Sequence, residues 1–88
     1  MILHLGQDVV VKTNDIIGIF DLEKATLSKR TKEFLAQATR EQRIITVSYE
    51  MPKSFVVTKE TGGIRVYISQ ISALTLRKRA LGLGKISD

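Results

Sequence analysis

The chemistry-bearing residues of this chain are mostly cations. Arg77-Lys78-Arg79 is the densest cluster, and Lys24, Lys29, Arg30 and Lys32 form a second. Lys53 and Arg65 stand on or beside a hairpin. Lys and Arg at this density neutralise phosphates and release counterions, which gives affinity for duplex DNA and other polyanions. A solvated basic face accounts for the same clusters without a ligand. In the last turn of a helix, Arg77-Lys78-Arg79 already answers the helix dipole. Lys29 and Arg30 open a helix at its positive end, a mild cost that points to a role outside the helix. Tyr49 and Tyr67 are the only polar aromatics, so backbone contact with a duplex is favoured over stacking on single-stranded bases.

Catalysis has less to build on. A serine nucleophile usually needs an activating base, and His4 is the one histidine. A lone His near a strand more often serves structure. With no Cys and one His, a zinc ligand set does not form. Asp8, Asp15 and Asp21 stand at turns, where carboxylates are ordinarily solvated. Gly82-Leu83-Gly84-Lys85 has the look of a phosphate loop, but the first Gly is missing at the required spacing and no helix fits after it. No catalytic residue, metal site or cofactor is expected.

The elements that position these residues can be read from hydrophobic period. Ile2 to Leu5 and Val9 to Val11 are short apolar runs around a turn at Gly6-Gln7-Asp8. Ile16 to Phe20 is a near-continuous apolar run that suits a central strand covered on both faces, with Gly18 marking a bulge or a close backbone approach. Leu27, Phe34, Leu35 and Ala38 share one face of a helix over about 29–42, capped by Ser28, and are expected in the core. After Arg43 the period falls to two. Ile45, Val47 and Tyr49 form one strand; Phe55 and Val57 begin another. Lys59-Glu60-Thr61-Gly62-Gly63 turns it back into Ile64, Val66 and Ile68. Ser72 caps a short last helix, with Ile71 and Leu76 spaced as a hydrophobic staple and Gly82 as its end. The expected fold is one α+β domain over residues 1–81. It has a mostly antiparallel sheet of five or six strands, one amphipathic helix and a short C-terminal helix. A flexible tail is expected at 82–88.

Eighty-eight residues, 43% hydrophobic and 26% charged, make one small globular domain. Such a chain buries roughly 60–65% of its unfolded surface. With neither disulfide nor metal to help, self-association is the remaining support. The net charge is +5, and it is unevenly spread. Residues 1–23 carry one basic and four acidic groups, a net of −3; residues 24–88 carry thirteen basic and five acidic, a net of +8. No apolar run approaches the roughly 20 residues that span a bilayer, and the N-terminus has no basic n-region or cleavage pattern. A cytoplasmic protein without membrane contact is expected.

The order of residues also carries a resemblance. His4-Leu5-Gly6, a short Val strand and Asn14-Asp15-Ile16-Ile17-Gly18-Ile19-Phe20-Asp21 are followed by Lys53-Ser54-Phe55-Val56-Val57-Thr58. Ser69, Ser72, Leu76 and Arg77-Lys78-Arg79 come later. Over residues 1–81 this resembles the bacterial extracellular matrix regulators RemA and RemB, and the RemB branch more closely. The resemblance implies a β-rich α+β domain that assembles into homo-oligomeric rings. It also implies a non-enzymatic, DNA-binding regulator of biofilm matrix genes. Members of the RemA branch carry consecutive arginines in the loop before the strand that begins here at Phe55. Met51-Pro52-Lys53 stands there in this chain, so Lys53 alone keeps the charge, and Asp15 stands where RemA-type chains carry Arg. The DNA-binding residues expected on these grounds are Lys53, Arg77, Lys78, Arg79, Lys29 and Arg30. The alternative is a homo-oligomeric protein-interaction module without DNA binding.

Overall fold

The computed structural model describes residues 1–85. β1 (Ile2–Gly6) and β2 (Val9–Lys12) pair as an antiparallel hairpin. Its turn places Gly6 at φ +125° and Gln7 at +49°, and only glycine takes the first of these without strain. The His4 Nε2 lies 2.5 Å from the Gln7 carbonyl oxygen across this turn. A one-turn 3-10 segment, Thr13–Asp15, leads into β3 (Ile16–Asp21). Two helices follow, α1 (Leu22–Ala25) and α2 (Lys29–Arg40). Then come β4 (Ile44–Thr46), β5 (Ser54–Glu60), β6 (Gly63–Ser69) and α3 (Ala73–Lys85).

The α+β class holds, with the six strands divided between two sheets. The hairpin stands alone, and the other four strands run in the order β3-β5-β6-β4. β3–β5 and β5–β6 are antiparallel, while β4 joins β6 in parallel. Side chains alternate across β5. Val56 faces a core built with Leu3, Leu5 and Val11 of the hairpin, Val47 just after β4, Tyr67 of β6 and Leu76 of α3. Phe55 and Val57 face the other way, towards Val66 and Ala38, with Leu35 packed alongside. The four-stranded sheet is therefore covered by the hairpin and α3 on one face and by α1 and α2 on the other.

Several expectations are corrected. Ile16 to Phe20 forms an edge strand, not a central one. Ile16 and Ile19 pack on the core, but Ile17 is 58% exposed and Phe20 is exposed as well. A continuous apolar run shows that no face is polar; it does not show how many faces the protein itself covers. Second, Leu27 and Phe34 are not core: they are 84% and 39% exposed, and only Leu35 and Ala38 of that helical face pack inward. Third, Gly82 lies inside α3, because a helical Gly costs only about 1 kcal/mol relative to Ala; the helix runs on to Lys85, so Arg77-Lys78-Arg79 stand at mid-helix, not in its last turn. Of the tail expected at 82–88, residues 86–88 lie outside the described residues.

The strand expected through Ile45, Val47 and Tyr49 ends at Thr46, and Tyr49 stands exposed in the loop that follows. The cap, staple and bulge signals held. The Ser28 hydroxyl accepts the Thr31 amide at 3.4 Å, and that of Ser72 accepts the Thr75 amide at 3.1 Å. Leu76 is fully buried, and the half-buried Ile71 packs against the same core. The bulge falls where Gly18 placed it, in the register shift between Ile16 and Gly18. The Phe20 ring folds over Gly18 so closely that a Cβ there would lie 2.5 Å from it.

Candidate nucleic-acid interface

The six candidate cations come from three places in the fold. Lys53 ends the long loop between β4 and β5. Its backbone is pinned twice: its amide donates to the Ser69 carbonyl and its carbonyl accepts the Leu22 amide, both at 2.9 Å. The side chain is exposed and lines a cleft of about 620 Å³ with Asp21, Glu23, Thr26 and Ser72. Asp21 accepts the Lys24 amide at 2.9 Å as the cap of α1, and Glu23 follows in the first turn. Two carboxylates thus share the surroundings of the one cation kept in this loop. The loop base is rigid, yet Tyr49 is 97% exposed and Met51 stands out in solvent.

Lys29 and Arg30 lie in the first turn of α2, where the Ser28 cap fixes the backbone. Arg30 lines an apolar groove of about 300 Å³ with Ile17, Phe20, Phe34, Phe55 and Val57. Phe20 and Phe55 stack there with ring centroids 5.0 Å apart. Arg77, Lys78 and Arg79 are exposed on α3. Arg77 is engaged: its Nη2 donates to the Ile19 carbonyl of β3 at 2.5 Å. Among the described residues the ion pairs are Arg43–Glu41 and Arg65–Glu60, so none of the six candidates is neutralised by a salt bridge.

Arg30, Lys53 and Arg77 all abut β3 or the residue after it, while Lys29, Lys78 and Arg79 point to solvent from two helices. The arrangement can supply separate phosphate contacts. Among the described residues no group of three His, Asp or Glu side chains could hold a metal ion, and no helix is long and apolar enough to cross a membrane.

A model of the RemA-like family, extracellular matrix regulatory protein A-like, matches residues 2–80. The chain belongs to this family. It is also 42% identical over 80 residues to the extracellular matrix regulatory protein B of Bacillus subtilis (strain 168). That alignment covers 91% of this chain and 90% of the relative. The family match starts in β1 and ends within α3, so every candidate cation lies inside it.

Sequence reasoning passed over one polar network of this RemA-like domain. Thr58 and Tyr67, both buried, donate to Glu60 Oε2 at 2.6 and 2.7 Å. The Arg65 guanidinium lies 3.8 Å from Glu60 Oε1. The Thr58 hydroxyl, with help from Tyr67 and Arg65, holds the Glu60 carboxyl below its ordinary range against the opposing effect of burial. Burial, and then the Glu60 bond, push the Tyr67 hydroxyl up, so it stays a donor. Thr58, Glu60 and Tyr67 fall on two neighbouring strands, and nothing in their spacing along the chain announces the cluster.

Proposed function

We propose that this protein is a non-enzymatic, homo-oligomeric DNA-binding regulator of genes for extracellular matrix production. The observation that carries the reading is the near-full-length likeness to a protein named as an extracellular matrix regulator. Two features support its finer parts. Lys29, Lys78 and Arg79 are exposed without a salt bridge and are free to meet phosphates. The apolar edge at β3 gives a surface for self-association. Contacts to phosphates bring affinity with little base readout, and repetition around a ring turns weak single contacts into avidity.

The test is a titration of a labelled duplex at two salt concentrations, with wild type and Lys53→Glu side by side. Wild type should bind at low salt and weaken with a log–log slope of about −0.9 per phosphate neutralised. Lys53→Glu should weaken binding beyond one lost contact, because the defect recurs in every subunit. Absence of wild-type binding at low salt ends the DNA reading. A specific observation then favours the second reading, a homo-oligomeric interaction module. Lys53 shares its cleft with Asp21 and Glu23, and the same loop displays Tyr49 and Met51, residue types enriched at protein interfaces.

A further inference from the structure

β6 begins at Gly63, but its parallel neighbour β4 pairs with it only from Val66 onward. Residues 63–65 therefore have an outer edge that β4 does not cover. Arg43 fills part of this gap: its Nη1 donates to the Ile64 carbonyl at 2.9 Å, and its own carbonyl accepts the Val66 amide at 3.0 Å. Its Nε is bound to Glu41 Oε1 at 2.7 Å. The half-buried guanidinium is thus held in place before any ligand arrives. Arg65 reaches the same cleft, about 480 Å³ in volume, lined also by Gln42, Ile45, Gly62 and Ile64.

Two glycines keep this place open. A Cβ on Gly63 would lie 3.2 Å from Arg43 Nη1, and one on Gly62 would lie 3.6 Å from Arg65 Nη2. Both guanidinium groups therefore stand against bare backbone at the β5–β6 turn. Glu41 is the one carboxylate lining the cleft, against two guanidinium groups. It is already bound to Arg43 and to the Gln37 amide. Glu60 draws on Arg65 from outside the cleft, across a longer 3.8 Å. Lys59 stands opposite Ile64 in the β5–β6 ladder and adds positive charge nearby.

We propose that the cleft between the Gly62-Gly63 turn and Arg43 is an oxyanion site that takes a phosphate group, with Arg43 and Arg65 as its ligating side chains. Guanidinium forks suit phosphate oxygens better than ammonium groups do. The site is separate from Lys53 and the helical cations, and it does not depend on the DNA reading. The phosphate can be free, or it can belong to a nucleic-acid backbone.

The test follows Gly62, Gly63 and Arg65 amides and the Arg43 Nε–H by NMR during titration with inorganic phosphate, against chloride at matched ionic strength. Saturable shifts at these positions with phosphate alone are expected. Arg65→Gln, at an exposed side chain, should weaken binding by about tenfold, as for one charge-assisted hydrogen bond. Glu41→Gln should strengthen it, by removing the competing carboxylate. Arg43→Gln should abolish it, but Arg43 also holds the Ile64 carbonyl, so Arg65→Gln decides. No saturable shift in wild type, or equal shifts in wild type and Arg65→Gln, overturns the inference. A second arm adds a short duplex at low salt. Phosphate binding without duplex binding keeps this site and ends the DNA reading. Duplex binding with no phosphate response and no effect of Arg65→Gln keeps the DNA reading and ends this one.

Discussion

Glu60 shows how one side chain ties stability to pH. Thr58 and Tyr67, both buried, have its carboxylate as their hydroxyl partner. Its pKa is lowered in the folded state, so the unfolded chain takes up a proton at higher pH than the folded one. The resulting stabilisation is complete above the ordinary glutamate range and is lost as pH falls through the lower, folded value. Glu60→Gln should therefore flatten the acid limb of the stability curve. At neutral pH it should cost about 1–2 kcal/mol, since a charged acceptor of two hydroxyls becomes a neutral one. Urea melts of both proteins at neutral and acidic pH check this, and parallel curves would contradict the assignment. At this scale the caps Ser28 and Ser72, the bulge at Gly18 and the Gly62-Gly63 turn were legible, because each acts on backbone within a few residues. The Glu60 cluster was not, because its members meet only once β5 and β6 are paired.

At the scale of elements, period identified which residues share a face but not the extent of the surface that receives it. Leu27, Phe34, Leu35 and Ala38 do lie at helical spacing, yet α2 offers only Leu35 and Ala38 to the sheet. The apolar run in β3 likewise named a strand correctly and misplaced it, since order within a sheet depends on partners far away in sequence. The parallel pairing of β4 with β6 was hidden for the same reason. The staple in α3 was legible because Ile71 and Leu76 are local and their burial needs only one helix to dock. Leu76 is fully buried beside Leu3, Leu5 and Val56. Replacing it with Ala should cost about 2–4 kcal/mol. A loss within about 0.5 kcal/mol in chemical denaturation, the range of an exposed substitution, would place the side chain outside the core.

At the scale of the whole molecule, the exposed apolar residues at β3 are the feature a lone 88-residue chain explains least. An open edge strand invites pairing with another chain unless it is covered or guarded. Here the guards are few: the bulge at Ile17, and Arg77 bound to the Ile19 carbonyl. The adjoining groove is apolar apart from Arg30 and Thr31. Covering it with a second copy removes Ile17, Phe20 and Phe34 from water and leaves the hairpin side of each copy free. If the two faces in contact differ, repeated contacts close into a ring. Wild type is then expected to run in size exclusion with light scattering as a homo-oligomer larger than a dimer. Ile17→Lys should lower that mass sharply. Fully burying one such side chain contributes about 1.5–3 kcal/mol, so each interface weakens by about tenfold or more, and the loss repeats at every subunit contact. The variant should still fold, because Ile17 contributes little to the core of its own chain. A monodisperse wild-type monomer at micromolar concentration would remove the assembly reading. An unchanged oligomer in Ile17→Lys would keep assembly but move its interface away from β3.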